Sequence, residues 1–188
     1  MCASSLDTEP VGLIAHPSTP EDAVRRLAVR LRAEKPDILV FHYSLDAKMS
    51  RIRVPACSAG GQADALWKHT CFEAFIAPAN SAGYHEFNFS PSLEWAIYRF
   101  GGYRERAPRA EIFQAPKISV HRGDDGLVLE STVRLAALAD LEAAHLRIAL
   151  AAVIEDEDGK LSYWALRHPA GKPDFHHPHG FALEVARA

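Results

Sequence analysis

The densest concentration of chemistry-bearing side chains lies between Trp67 and Tyr103, in the runs W-K-H-T-C-F-E-A-F-I and Y-H-E-F-N-F-S-P-S-L-E-W-A-I-Y-R-F-G-G-Y. Taken as strands, these runs send alternate side chains to opposite faces. Over Lys68 to Ile76, the set Phe72, Ala74 and Ile76 is apolar and suits a core. The alternate set is His69, Cys71, Glu73 and Phe75, with Trp67 in the same phase. Further on, His85, Phe87 and Phe89 alternate with Tyr84, Glu86 and Asn88, and Ala96, Tyr98 and Phe100 alternate with Trp95, Ile97 and Arg99. If the three strands are neighbours, Glu73, Glu86, Asn88 and Arg99 share a sheet face with Trp67 or Trp95 beside them. Such a set suits a sugar: an aromatic plane stacks on the C–H face of the ring while carboxylate, amide and guanidinium groups bond its hydroxyls. The same residues also suit a purely structural role, because buried Glu–Arg pairs and mostly buried tryptophans are common in cores.

A second grouping, Tyr163 to Phe181, holds four of the ten histidines. Histidine and aspartate at short spacing admit zinc in principle. No cysteine is near, however, and three prolines stiffen the segment without bringing ligands to one face. The expectation is an extended loop without metal, packing Phe175 inward and using its histidines for hydrogen bonds. Two catalytic pairings are conceivable: Glu73 with Glu86 as the carboxyl pair of glycoside hydrolysis, and Cys71 with His69 as nucleophile and base. Acidic pairs on adjacent strands are commonplace, a cysteine in such a run is more often a small core residue, and no G-x-S-x-G motif occurs. No catalytic residue is expected.

The elements that must position these groups read mostly as strands. Val11 to Ala15 is a short one. Thr19 as N-cap, Pro20 at N1 and Glu21 and Asp22 in the first turn then predict a helix over Pro20–Glu34, with Val24, Leu27, Ala28 and Leu31 at helical spacing. Beyond Pro36 come Asp37 to Leu45, Lys68 to Ile76, Tyr84 to Phe89, Glu94 to Phe100, Lys117 to Val120, Leu127 to Val133, Leu146 to Ile154, Leu161 to His168 and Phe181 to Val185. Turn signals separate them, and Asp124-Asp125-Gly126 and Glu157-Asp158-Gly159 read as hairpins. About ten strands with one long helix indicate an antiparallel sandwich or barrel. The expected fold is all-β, a two-sheet antiparallel β-sandwich with one N-terminal helix at its side, formed by residues 1–188 as a single domain.

Composition narrows the function classes. A chain of 188 residues that is 48% hydrophobic needs neither disulfide nor metal to build a core. Its 21 basic and 24 acidic residues give a charge of −3, so neither nucleic acid nor an acidic membrane is expected as a partner. Arg25, Arg26, Arg30 and Arg32 read as a solvated face. Cys2, Cys57 and Cys71 are too few and scattered for a disulfide framework. The first residues have no basic or apolar signal region, and no apolar stretch reaches the roughly 18 residues of a membrane span. A soluble, cytoplasmic protein in a reducing compartment is expected.

Three blocks then resemble a known group. Leu66 to Ile76, Tyr84 to Ser92 with Trp95 and Tyr98-Arg99-Phe100, and Lys172-Pro173-Asp174-Phe175-His176-His177-Pro178 are similar, in the same order, to DOMON-like proteins related to carbohydrate-binding module family 9. The blocks span about two thirds of the chain. The resemblance implies an immunoglobulin-like β-sandwich that binds a sugar or, in other branches, haem. It implies tryptophan platforms, for which Trp67, Trp95 and Trp164 are available, and polar contacts at positions like Glu73 and Arg99. The expectation is a non-catalytic module for a small-molecule or oligosaccharide ligand, with Trp67, Glu73, Glu86, Asn88, Trp95, Arg99 and Trp164 as its binding residues and no metal or cofactor. Haem binding is the alternative, through bis-histidine ligation, since the only methionines are Met1 and Met49. A carboxylate-dependent hydrolase comes after it.

Overall fold

A computed structural model describes residues 7–35, 37–108, 114–138, 141 and 145–186. The chain runs through β1 (Val11–Ala15), β2 (Val24–Lys35), β3 (Ile38–Ala47), β4 (Ile52–Arg53), β5 (Gly61–Gln62), β6 (Cys71–Pro78) and β7 (Tyr84–Phe89). It continues through β8 (Glu94–Gly102), β9 (Glu105–Arg106), β10 (Lys117–Arg122), β11 (Gly126–Arg134), β12 (His145–Asp156), β13 (Leu161–Ala165) and β14 (Leu183–Ala186). The described residues contain no α-helix, only short 3-10 turns, and no helix is long and apolar enough to cross a membrane.

The expected two-sheet antiparallel sandwich with an N-terminal helix is not what forms. The strands make one mixed sheet in the order β10-β11-β3-β2-β1-β13-β12-β6-β7-β8-β5, with β4 and β14 beside β12 and β9 beside β8. β5 runs parallel to β8. Hydrogen bonding passes unbroken through β1, where residues 11–13 pair with β2 while Ile14 and Ala15 pair with β13. A strand shared this way joins two flanks into one sheet, which curls into a half-barrel.

The segment expected as a helix is β2. Its apolar residues fit both periods: Val24, Leu27, Ala28 and Leu31 repeat helically, but Leu27, Val29 and Leu31 also alternate with Arg26, Ala28 and Arg30. Pairing decides between them. β2 hydrogen-bonds to β3 along its length and to β1 over Leu27, Ala28 and Val29, and a bulge between Val24 and Arg26 keeps Val24 buried despite the odd spacing. The residues resembling a helix start make a turn, in which His16 O accepts from Thr19 N–H at 2.9 Å and Glu21 Oε1 accepts from Ala23 N–H at 2.7 Å.

The curl brings strands that are far apart in the sheet face to face. Phe41 on β3 lies 6.0 Å from Phe89 on β7, Tyr43 on β3 lies 5.0 Å from Phe72 on β6, and the Tyr43 hydroxyl donates to Glu73 O at 2.8 Å. These residues belong to the main core on the inner face. Full burial of each such aromatic stabilises the fold by roughly 1.5–3 kcal/mol. A second cluster, built on Phe75, Tyr84, Tyr98 and Phe100, lies on the outer face of β6, β7 and β8 and is covered by Phe175 and Phe181 from the segment before β14. The hairpin turns join β10 to β11 and β12 to β13. In the first, a Cβ on Gly126 would stand 2.6 Å from Leu45 O, so only glycine fits.

Candidate ligand site

Register places the site. Phe75 on β6 faces Glu86 on β7, which faces Tyr98 on β8; one step along, Glu73 faces Asn88. Paired residues share a face, so Glu73 and Glu86 are diagonal neighbours on the outer side, within side-chain reach of each other. Trp67, in a short 3-10 turn, and the closing segment with Pro173, Phe175 and His176 rise around them. Together they enclose a cavity of about 360 Å³ whose lining also includes Tyr98, Tyr163, Arg104 and Arg106. Its floor is acidic and deeply buried, with Glu73 only 3% and Glu86 5% exposed. Its rim carries the exposed guanidinium groups of Arg104 and Arg106.

Burial first, and the neighbouring Glu86 carboxyl second, push the Glu73 carboxyl well above the usual carboxylate range. Burial also raises Glu86, against the Asn88 amide, which donates to Glu86 Oε1 at 2.7 Å, and against Arg106 and Arg104. The more deeply sealed Glu73 therefore retains a proton far above ordinary carboxyl pH. Glu73 Oε1 is buried and has no hydrogen-bond partner among the described residues. A buried polar atom left without a partner costs on the order of 1–3 kcal/mol unless something in the cavity satisfies it.

The walls are held by a network from the loops. The Tyr84 hydroxyl accepts from Arg104 N–H at 3.2 Å, so its own proton goes to His176 Nδ1, 2.8 Å away. That leaves the ring proton on Nε2, which faces Glu86 Oε2 at 3.7 Å. Burial and the Arg104 charge push His176 down to about 4, against the opposing effect of Asp174, so the ring is neutral near pH 7. Asp174 Oδ1 accepts from Arg104 at 2.7 Å and from His176 N–H at 3.1 Å, and the Tyr103 hydroxyl donates to Oδ2. Burial, then a bond to Asp64, raises the Tyr98 phenol, which donates to Asp64 Oδ1 at 2.8 Å. The Arg106 guanidinium lies 4.2 Å from the centre of the Tyr98 ring.

Of the residues singled out from sequence, Trp67, Glu73 and Glu86 line the cavity, with Trp67 37% exposed and edge-on to Tyr98 at 5.6 Å. Asn88 lies fully buried beneath them, its amide on Glu86. The other three are on the inner side. Trp95 pairs with Phe89 and packs on the main core. Arg99 stands opposite His85, on the far side of the sheet from Glu86. Trp164 is nearly buried in the main core and donates from Nε1 to Ser162 Oγ at 2.9 Å. The phase of β8 separates them: a one-residue offset exchanges the two sets of side chains, and Ala96, Tyr98 and Phe100 are the ones that face outward. His69 bonds Glu155 Oε2 through Nδ1 at 2.7 Å instead of serving Cys71, whose thiol burial pushes well up.

Sequence reasoning missed Tyr98, Arg104, Arg106 and His176 as lining residues. Tyr98 was in view but in the discarded phase. The arginines follow the Gly101-Gly102 turn, and His176 reaches the site through contacts with residues distant in sequence, among them Tyr84, 92 residues away. In the closing loop, Phe175 packs 6.5 Å from Phe75, and His177 Nδ1 accepts from His179 N–H at 3.2 Å. Among the described residues no group of three or more His, Cys, Asp or Glu side chains could hold a metal ion.

No family model matches this sequence, and no curated protein matches it. Among solved structures, a protein from Bacteroides uniformis ATCC 8492, provisionally described as carbohydrate-binding, is similar in fold: the TM-score is 0.69 over 98% of this chain and 86% of that one, at 16% sequence identity. At that identity the likeness is one of fold.

Proposed function

We propose that the chain is a non-catalytic, single-domain binding module whose ligand is a carbohydrate held in the cavity on the outer face of β6, β7 and β8. The observation that carries this reading is an open cavity floored by two buried carboxyl groups, with one oxygen unpartnered, beside an exposed tryptophan. Trp67 supplies a stacking plane, Glu73 and Glu86 bond ring hydroxyls, and Asn88 holds the Glu86 carboxyl in place. Trp95, Arg99 and Trp164 are not part of this set, because they point to the other side of the sheet. The fold likeness to a protein described as carbohydrate-binding and the resemblance of the three sequence blocks to DOMON-like sugar-binding modules support the same reading. A cytoplasmic setting agrees with the two unpaired cysteines among the described residues, exposed Cys57 and buried Cys71.

Calorimetric titration of mono- and oligosaccharides tests it. Saturable binding to the wild type is expected, with no release of reducing sugar from the bound oligosaccharide. Trp67→Ala is expected to weaken binding about tenfold, roughly 1.4 kcal/mol, while Trp95→Phe leaves affinity unchanged. A panel with no saturable ligand, or equal loss in both variants, overturns the assignment.

A further inference from the structure

We propose that the sugar this cavity selects carries a free ammonium group, an amino sugar whose nitrogen sits between Glu73 and Glu86. The inference rests on the carbohydrate reading above and deepens it. Charge is sorted by depth: the floor carboxyls are 3% and 5% exposed, whereas Arg104 and Arg106 stand in solvent at the rim. Neither guanidinium directly bonds the floor pair. Arg104 is engaged by Asp174 at 2.7 Å, and Arg106 lies over the Tyr98 ring at 4.2 Å. Counting groups that line the cavity or bond its lining, the acids are Asp64, Glu73, Glu86 and Asp174, against the cations Arg104 and Arg106 and a neutral His176. The lining thus holds more acids than cations, and its cations stand at the rim rather than at the floor.

An ammonium group supplies what is absent. It brings three donors, enough to bond the unpartnered Glu73 Oε1 and the Glu86 carboxyl together, and a charge that lets both ionise. A hydroxyl brings one donor and leaves the pair repelling or protonated. The groups that interact with Glu73 are Glu86, the Cys71 thiol and the Tyr43 phenol, and His176, Arg104 and Arg106 line the same cavity; Glu86 is the carboxyl among them. Glu73 therefore gives its proton to solvent as the ammonium enters, and the ammonium keeps its own three. The exposed Trp67 ring adds cation–π attraction, while the Tyr98 face is already taken by Arg106.

Titration calorimetry at pH 7 with glucosamine, glucose, N-acetylglucosamine and glucuronate, each in phosphate and in HEPES, tests the inference. Glucosamine is expected to bind about tenfold or more tightly than the other three. Its apparent enthalpy should differ between the buffers in the sense of proton release, and that of glucose should not. Glu73→Gln, close in shape and checked for folding by thermal melting, should bind glucosamine and glucose equally and lose the buffer difference. If that variant does not fold, the buffer comparison on the wild type decides. Glucose or N-acetylglucosamine binding as tightly as glucosamine overturns the ammonium assignment and leaves the carbohydrate reading intact, as does a preference for glucuronate, which would point to the rim arginines. No saturable binding of any of the four, nor of their oligomers, overturns both.

Discussion

Two outer faces of the same sheet carry charge, and they differ in what the charge can do. On the flank of β2, β3 and β11, a hollow of about 620 Å³ is lined by Arg26, Arg30, Asp46 and Glu130 among others. Arg25 there pairs with Asp46, and Arg30 with both oxygens of Asp7 at 2.8 and 2.6 Å, all through side chains about half exposed. On the flank of β6, β7 and β8, the hollow is smaller, about 360 Å³, but the acids beneath it are sealed from water and one oxygen has no partner. Solvated pairs are already satisfied by each other and by water, and are worth little. A buried carboxyl oxygen without a partner, as on Glu73, depends on whatever enters. Size would select the first hollow; unsatisfied chemistry selects the second.

The difference originates in the closing segment. Among the described residues, Phe175, His176 and Phe181 lie over the second flank, whereas the side chains of the first form half-exposed ion pairs. Phe75 is the hub of that lid, with rings of Phe175, His176, Phe181 and Tyr84 all within 6.5 Å of its own. Phe75→Ala should be the costliest change on either outer face, about 3–5 kcal/mol, read by urea denaturation. A loss below about 1 kcal/mol would mean that the segment is a surface loop and the cavity has no fixed wall.

How much of this was legible in sequence depends on whether the deciding contact was local. The alternation of β6 and β7 separated Phe72, Ala74 and Ile76 from Glu73 without help, because period two is a property of a single strand. For β2 the local pattern satisfied two periods at once, and the Thr19-Pro20-Glu21 signal serves a turn as well as a helix start. The answer came from hydrogen bonds to β1 and β3. For β8 each phase mixes aromatic and small or charged residues, so only its register against β7 tells that Tyr98, and not Arg99, stands beside Glu86. The continuity of the sheet through β1 leaves no mark on local pattern at all.

The buried face should also make stability depend on pH, through two opposing contributions. His176 is depressed from 6.5 to about 4, so the unfolded chain binds its proton first, and stability rises with pH across that window. Full expression would be roughly 3 kcal/mol, and partial solvent access reduces it. Glu73 is raised above 4.5, so the folded chain holds the extra proton, and stability falls as pH climbs from there through its raised value. Glu73→Gln removes the falling contribution. Chemical denaturation from pH 4 to 8 should therefore give a steeper rise for the variant than for the wild type, with the variant gaining on it most at the alkaline end. Parallel curves would show that Glu73 is not protonated in the fold, and the contrast between the two faces would lose its electrostatic half.

The smallest effect expected is on the solvated flank, and it is the control for everything claimed about the buried one. Arg30 makes the best pair there, a two-pronged contact with Asp7, yet its side chain is 50% exposed and that of Asp7 38%. Water competes for both groups, and holding two side chains in one geometry offsets part of the attraction. Arg30→Ala should cost roughly 0.2–1 kcal/mol, and less as salt is raised past about 0.1 M, where the screening length falls to about 10 Å. Sugar affinity should be unchanged, since Arg30 stands on β2, on the opposite flank of the sheet from the cavity. Equilibrium denaturation at low and high salt, with the same titration used for the wild type, reads both quantities. A cost above about 2 kcal/mol that salt does not reduce would mean that the pair is effectively buried, and a weakened sugar titration would mean that ligand reaches the larger hollow. Either result would remove the distinction between the two faces on which the assignment of the smaller cavity depends.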